Sequence, residues 1–372
     1  MDTSSELIHS LLPIFMVTTL GASMTLVGAV EGMAEATALI VKIFSGAISD
    51  YFRKRKLLAA IGYGMAAFSK LLFPLANTIG LVLTARFLDR IGKGIRDAPR
   101  DALIGDIAPP EIRGACFGLR QALDTVGAFI GPLLAIGGML FFANNIRSAL
   151  WIGVIPAFIS LAIISFIVKE PEKNKYHDKN RAKIKISDIK NIDAAYWKLI
   201  AVAGIFMFGR FSDIFLLLKA RDIGIQVAFV PFIMVVMNAV YALFAYPAGV
   251  LSDRINKKIV LLIGMIFLII ADVILGFANS NSMLIFGVIF WGLHMAFTQG
   301  LFLTMVADSA PEALRGTAYG ILNFVYGVAM LCSSIVAGAL WDKFGPSVMF
   351  LVGAVFTTLT FIGLLLARER KN

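Results

Sequence analysis

The sequence predicts an all-α membrane protein of twelve transmembrane helices, the first one short or truncated, in two pseudo-symmetric six-helix bundles. Three observations carry this: an apolar composition, apolar runs of spanning length at regular intervals, and an internal repeat of about 200 residues. Of the 372 residues, 59% are hydrophobic and 16% charged, and mean hydropathy is +0.83. Soluble domains hold roughly 45–50% apolar and about 25% charged residues. The chain departs from that range in both directions, which excludes a water-soluble globular domain.

A helix crosses the hydrocarbon core with about 20 apolar residues. Such runs occupy roughly 5–20, 24–48, 57–77, 80–105, 115–142 and 148–168, then 196–219, 226–250, 259–278, 283–307, 316–340 and 346–367. The first is anomalous, because its apolar part, Leu7 to Leu20, has only 14 residues. Either this helix is short and tilted inward or Met1 is not the natural start; the second reading is preferred. Between the two sets of six lies KEPEKNKYHDKNRAKIKISDIKNID, charged and without an apolar face, as expected of a solvated linker. The expected division is 1–168 for the first bundle, 169–195 for a basic linker and 196–372 for the second bundle.

Lys and Arg concentrate in cytoplasmic loops. One set of loops holds Arg53, Lys54, Arg55 and Lys56, then Arg113, the linker, Arg254, Lys257, Lys258 and Arg315, and finally Arg368, Arg370 and Lys371. The opposite loops hold little beyond Arg147, Lys219, Arg221 and Lys343. Both termini are therefore expected in the cytoplasm, with the chain in the inner (cytoplasmic) membrane. The net charge of +10 then reflects topology and gives no reason to expect nucleic acid. The acidic start, MDTSSE, does not read as a secretory signal. Cys116 and Cys332 lie in apolar runs and read as packing residues. His9, His177 and His294 are isolated, so no metal-ligand spacing appears. RIGKGIR lacks the phosphate-loop spacing, and no other cofactor or catalytic set is visible.

The halves share sequence. GAISDYFRKRKLL (46–58) matches GVLSDRINKKIVL (249–261), and GDIAPPEIRGACFG (105–118) matches ADSAPEALRGTAYG (307–320). Asp50 maps to Asp253 at an offset of 203, and Asp106 to Asp308 and Arg113 to Arg315 at 202. Repeats of this size place a binding site near the midplane between two bundles.

These segments resemble the major facilitator superfamily of transporters, over essentially the whole chain. GAISDYFRKRK and GVLSDRINKK resemble the motif that follows helix 2 and its repeat after helix 8. ARFLDRIGKG resembles the helix 4 motif; Arg86 falls on its arginine and Asp89 on its usual glutamine, while Arg90 stands where glycine is usual. Gly118, Gly127, Gly131 and Pro132 keep the G-x8-G-x3-G-P spacing of the antiporter motif, although the glycine pair that should follow lies later, at Gly137 and Gly138. The resemblance implies that Asp50 latches one lobe to the other, with Gly46, Arg53 and Arg113 around it. Gly249, Asp253, Arg254 and Arg315 are the equivalents in the second half.

Charges inside spans are expensive and usually functional. Glu31 and Glu35, four apart in helix 2, share one helical face. Two carboxyls so close in low dielectric cannot both ionise cheaply, and one is expected to hold a proton. Helix 4 adds Arg86, Asp89 and Arg90, helix 5 adds Arg120 and Asp124, and helix 1 offers Glu6 and His9. The second half is leaner: Arg210 and Asp213, Asp272, and a lone His294 that reads as a satisfied bundle residue. The repeat positions of Asp89 and Arg90 are Trp291 and Gly292, so ion coupling is expected in the first bundle. Together with the resemblance this implies a monomeric, non-enzymatic secondary transporter in a lipid bilayer. It would exchange protons for a small organic molecule, drug-like compound, metabolite or siderophore, by alternating access. A proton-coupled importer, or a non-transporting sensor on the same fold, are the alternatives.

Overall fold

The computed structural model describes residues 1–52, 54–109, 112–169, 193–311 and 314–366. Most of the expected linker, Arg53, and the side chains of Gly46, Asp50 and Arg113 lie outside the described residues. The first bundle contains α1 (Asp2–Thr18), α2 (Met24–Phe52), α3 (Arg55–Leu75), α4 (Ile79–Ile107), α5 (Arg113–Phe141) and α6 (Ile146–Ala162), the last prolonged by a wider helical turn, Ile163–Ile167. The second contains α7 (Ala194–Gly209) and α8 (Ile214–Asp222), then α9 (Phe232–Arg254), α10 (Lys257–Phe277), α11 (Asn281–Ser309), α12 (Arg315–Phe344) and α13 (Pro346–Leu366). Among the described residues there is no strand.

Among the described residues, ten spans are long and apolar enough to cross a membrane; α1 and α4 are the two exceptions. The 17 residues of α1 reach about 26 Å at 1.5 Å per residue, against a hydrocarbon core of about 30 Å. The cause in α4 is charge: Arg86, Asp89, Arg90, Lys93, Arg96, Asp97, Arg100 and Asp101 lie along it. Arg86, Asp89, Arg90 and Arg96 are buried. A helix with that load persists in a bilayer only if protein surrounds its charges.

One stretch differs from expectation. The span expected at 196–219 is not one helix. It breaks between Gly209 and Ile214, separating α7 from α8 at Arg210, Phe211, Ser212 and Asp213. The backbone amide of Arg210 still bonds to Phe206 O, and α8 restarts with Asp213 at its N-cap. Polar residues that compete for backbone bonds favour such interruptions, and interrupted spans near the midplane are a recurring site architecture.

The repeat is visible in three dimensions. α3 and α10 each have 21 residues and begin at Arg55 and Lys257. α4 and α11 each have 29 and begin at Ile79 and Asn281. Thr78 caps α4 by accepting from Leu81 N, and Ser280 caps α11 by accepting from Met283 N. At the face that carries both chain ends, Arg55 pairs with Asp106 and its counterpart Lys257 with Asp308, each at 2.5 Å.

The bundles meet chiefly along α2 and α12, with α5 against α9 on the other side. At the face opposite the chain ends, the far face, Asp342 of α12 caps the start of α2. It accepts from Met24 N at 2.9 Å, Thr25 N at 2.8 Å and Thr25 Oγ1 at 2.6 Å. Glycine lets the backbones close below this clamp: a Cβ on Gly338 would lie 2.6 Å from Thr25 Cα, and one on Gly32 would lie 2.8 Å from Leu331 Cα. The seam loosens with depth. A Cβ on Gly327 would meet Ala36 Cα at 3.1 Å, and one on Gly320 only the Ile43 side chain at 3.6 Å. On the other side, α5 and α9 are tied by Asn238 Nδ2 donating to Ala128 O at 3.2 Å. The two bundles thus close at the far face and spread toward the chain-end face.

A bond to a charged acceptor contributes roughly 1.5–3 kcal/mol. Asp342→Asn should therefore loosen the far face by about tenfold or more in population. The check is the rate at which a membrane-impermeant maleimide labels Ala22→Cys in a background lacking Cys116 and Cys332. It should rise, and an unchanged rate would show that the clamp does not hold this face shut.

Candidate functional site

The site begins with a coincidence of stride. α2 and α4 both enter from the far face and run side by side. Glu31 and Glu35 on one are spaced like Arg86 and Arg90 on the other, so the charges pair rung by rung. Arg86 meets Glu31 through both Nε, at 3.2 Å to Oε2, and Nη2, in close contact with Oε1. Arg90 Nη1 lies 3.3 Å from Glu35 Oε1. The sequence leaves open whether Arg86 or Arg90 carries the helix 4 role; each has its own carboxylate. That also removes the premise on which one of the two glutamates was expected to hold a proton, because each negative charge is matched by a guanidinium.

Asp89, one turn from Arg86, is balanced by a residue that pattern reading passed over. Lys70 of α3 is fully buried; its Nζ lies 2.7 Å from Asp89 Oδ1 and donates to Ser5 Oγ at 3.1 Å. Arg86 and Arg90 flank the other oxygen of Asp89, each at 3.8 Å. The carboxylates Glu31, Glu35 and Asp89 therefore face the cations Arg86, Arg90 and Lys70, and this buried core is balanced without any further charge.

His9 of α1 is the remaining member. Its Nδ1 stands 2.8 Å from Arg86 Nη2, a donor, and 3.1 Å from Glu31 Oε1, an acceptor. Its Nε2 lies 3.4 Å from Asp213 Oδ1, in the break of the other bundle. A neutral ring can accept from Arg86 at Nδ1 and donate from Nε2. A protonated ring must donate at both nitrogens, to Glu31 and to Asp213. One proton thus changes the partner at Nδ1 and creates an ion pair between the bundles, which Asp213 balances. The sequence offered His9 only as a polar residue of helix 1, and the only signal for its role was its position in a span too short and too polar for its place.

The other expected residues fall elsewhere. Arg120 and Asp124 do not join this core. Arg120 donates to Asp101 Oδ1 at 2.7 Å and lies 3.5 Å from Asp124, which also faces Arg100 at 3.7 Å, in a separate cluster nearer the chain-end face. Glu6 is half-buried, without an ion pair among the described residues, and within electrostatic reach of Arg90. Gly127 and Gly131 let α1 approach α5: a Cβ on Gly131 would lie 2.7 Å from Thr3 O. They tighten one bundle rather than the seam between the two. Gly118 faces open space, and α5 runs unbroken through Pro132. Gly249 also faces open space, Asp253 and Arg254 are exposed at the end of α9, and Arg315 opens α12. His294, expected to be a satisfied bundle residue, is fully buried against Trp291, with the Trp291 backbone as its hydrogen-bonding neighbour.

Exposure shows which end of the core meets the space between the bundles. Glu31 is 1% exposed and Glu35 34%. The second bundle offers Arg210, which acts electrostatically on Asp213, Tyr241, Tyr326 and His294. Beside it lies an apolar cluster of Met207, Ala329 and Met330 with Phe208 and Tyr326. One wall is therefore polar and ionic, and the other aromatic and sulfur-rich with one cation.

Breaking a buried pair costs about 3–5 kcal/mol, whereas replacing both partners by apolar groups is often near neutral. Glu31→Gln and Arg86→Met should each lower thermal stability in detergent strongly. The double variant Glu31→Met with Arg86→Met should recover much of that loss, and additive losses would show that the two do not act as a pair.

Comparisons with known proteins place this geometry in a family. The model of the Major Facilitator Superfamily matches residues 1–219 and again 199–372. An uncharacterised MFS-type transporter of Methanocaldococcus jannaschii is 33% identical, over 98% of this chain and 91% of that protein. Multidrug resistance protein MdtH of Salmonella arizonae is 22% identical, over 96% of this chain and 88% of that protein. The crystal structure of the nucleoside transporter NupG superposes with a TM-score of 0.80 at 14% identity, covering 99% of this chain and 96% of that one. With two matching halves, twelve spans and a charged core at mid-depth, the chain belongs to the Major Facilitator Superfamily of multi-pass membrane transporters.

Proposed function

We propose that this chain is a proton-coupled secondary transporter that exports a small organic molecule by antiport. The observation that carries the coupling is His9. Its Nδ1 sits between a donor and an acceptor, and its Nε2 reaches Asp213 of the other bundle at 3.4 Å. A proton on His9 adds an ion pair across the interface, so protonation favours this far-face-closed form. Loss of the proton removes that pair and favours separation of α1 from α8. Chemistry at one ring is thereby linked to which face is open, which is what alternating access requires.

Glu35 and Arg90 are the cavity-facing members of the core, and solvent or substrate reaches them before Glu31. A molecule with a polar group for these residues or for Arg210, and an apolar body for Phe208, Tyr326 and Met330, fits the two walls. A drug-like compound, a metabolite or a siderophore meets that description. Export is favoured by the glycine–proline pattern Gly118, Gly127, Gly131 and Pro132, and by the likeness to a multidrug resistance protein. The reading includes a monomer in the inner membrane, its division at the 169–195 linker and both ends in the cytoplasm, on the strength of the basic loops. The space that opens at the chain-end face is then the cytoplasmic one. Asp50 and Asp253 remain the proposed latches at that face.

The test is a reconstituted system with a pH-sensitive dye and a substrate found by a thermal-shift screen. Antiport moves protons against the substrate and symport moves them with it, so the sign of the dye signal separates export from the importer alternative. His9→Gln and Asp213→Asn should remove substrate-driven proton movement, and Glu35→Gln should weaken substrate binding, with all three proteins folded. Full proton movement in both His9→Gln and Asp213→Asn would refute the coupling role.

A further inference from the structure

The repeat offset of 202 residues maps Lys70 of α3 onto Asp272 of α10, and Asp89 of α4 onto Trp291 of α11. In the first bundle these positions hold a closed ion pair. In the second they hold a carboxyl and an indole, and the pair is gone. Asp272 is fully buried, and neither of its oxygens has a hydrogen-bond partner among the described residues. Trp291 Nε1 is likewise buried without a hydrogen-bond partner among the described residues, and the fully buried His294 has only the Trp291 backbone beside it as a hydrogen-bonding neighbour. Three polar side chains, poorly supplied with hydrogen bonds, are thus gathered in one apolar region of the second bundle, which is unusual for buried polar groups.

The surroundings of Asp272 offer no counter-charge. α13 carries no titratable residue over Pro346–Leu366, and α9 carries none over 232–240. From α11 the titratable neighbour is His294, and from the break they are Arg210 and Asp213. Arg210 acts on His294 and Asp213, and no charged group among the described residues acts on Asp272. An ionised carboxylate without partner or counter-charge is strongly disfavoured in such a place, and these surroundings favour the neutral form.

The break covers this carboxyl. A Cβ built on Gly353 of α13 would lie 2.9 Å from Phe211 Cε1 and 3.0 Å from Asp272 Oδ2, so ring and carboxyl border the same small space. Phe211 also stacks near Trp291, with centroids 5.5 Å apart, and Trp291 lies 5.2 Å from His294. Two residues beyond Phe211, Asp213 holds His9. One short irregular segment therefore touches His9 on one side and seals Asp272 on the other.

We propose that Asp272 is a second proton-binding site, in the second bundle, which holds its proton while Phe211 covers it and exchanges it when the break shifts. The idea rests on the proton-coupling reading above and extends it to a carboxyl that no comparison assigns. When His9 lets go of Asp213, the 210–213 segment is freed and Phe211 moves off the carboxyl. The proton then leaves to water, and the carboxylate turns to Trp291 Nε1–H and His294 as donors.

The test uses the full chain in lipid. At neutral pH the infrared spectrum should contain a protonated-carboxyl C=O band that is lost in Asp272→Asn and retained, displaced, in Asp272→Glu. Asp272→Asn should keep wild-type thermal stability, since one neutral group replaces another. It should also lower the number of protons moved per substrate by one. If Asp272→Asn removes no such band, the carboxyl is ionised and the proposal fails. If the band is lost but the proton count is unchanged, the proton is fixed rather than carried, and the proposal also fails. Normal proton movement in His9→Gln combined with a reduced count in Asp272→Asn would overturn the His9 reading while leaving Asp272 in place.

Discussion

The structure depends on one constraint: a charge in the middle of a membrane bundle must find its opposite. α4 carries more charge than a spanning helix tolerates alone, and the first bundle is arranged around that fact. α2 supplies Glu31 and Glu35 in register with Arg86 and Arg90, and α3 supplies Lys70 for Asp89. Removing any one of these leaves a partner buried and unpaired, so the set is coupled. Such a core stabilises little in net terms against an apolar one. What it provides is a fixed polar surface at mid-depth, against which a single added proton has a defined effect.

In the proposed coupling that effect is carried by α1, the other helix that fails as an ordinary span. His9 contacts a core already neutral without it, and its outer nitrogen reaches across the interface to a residue of the broken helix. At the break Asp213 stands at the N-cap of α8 without making a capping hydrogen bond there, and its carboxylate meets His9 instead. Phe211, on the other side of the same break, packs into the aromatic group of Phe215, Trp291 and Phe350. The 210–213 segment is therefore the joint between the two bundles' buried chemistry. At the far face, Asp342 and the glycine seam hold the form in which that joint is engaged.

Much of this was legible in the sequence, and the part that was not has physical reasons. Apolar spacing gave twelve spans, because period and length respond to the bilayer alone. The repeated segments gave two bundles, because they preserve the charged ends, where Arg55 with Asp106 and Lys257 with Asp308 now form matching pairs. Glu31 and Glu35 stood out as paired carboxyls, and their stride matched that of Arg86 and Arg90. Lys70 was missed because one lysine in a span reads as a snorkelling side chain until Asp89 is seen beside it. His9 was undervalued because its partners lie on three other elements, and no local pattern reports that. Arg120 and Asp124 looked like part of the core because they share a helical face with Gly127 and Gly131; that face meets the start of α1, not the middle of α4. The break in the seventh span was hidden by apolar residues on both sides of RFSD.

In the proposed mechanism a proton on His9 ties the two bundles together through Asp213. The most direct measurement is the distance between spin labels placed on α1 and α8 at the far face, recorded across pH in lipid. His9 gains its second acceptor only in the closed form, so closure should be favoured at acid pH and decline as pH rises. In Asp213→Asn that dependence should vanish. A distance distribution in the wild-type protein that does not change with pH, or one that changes equally in Asp213→Asn, would contradict the account.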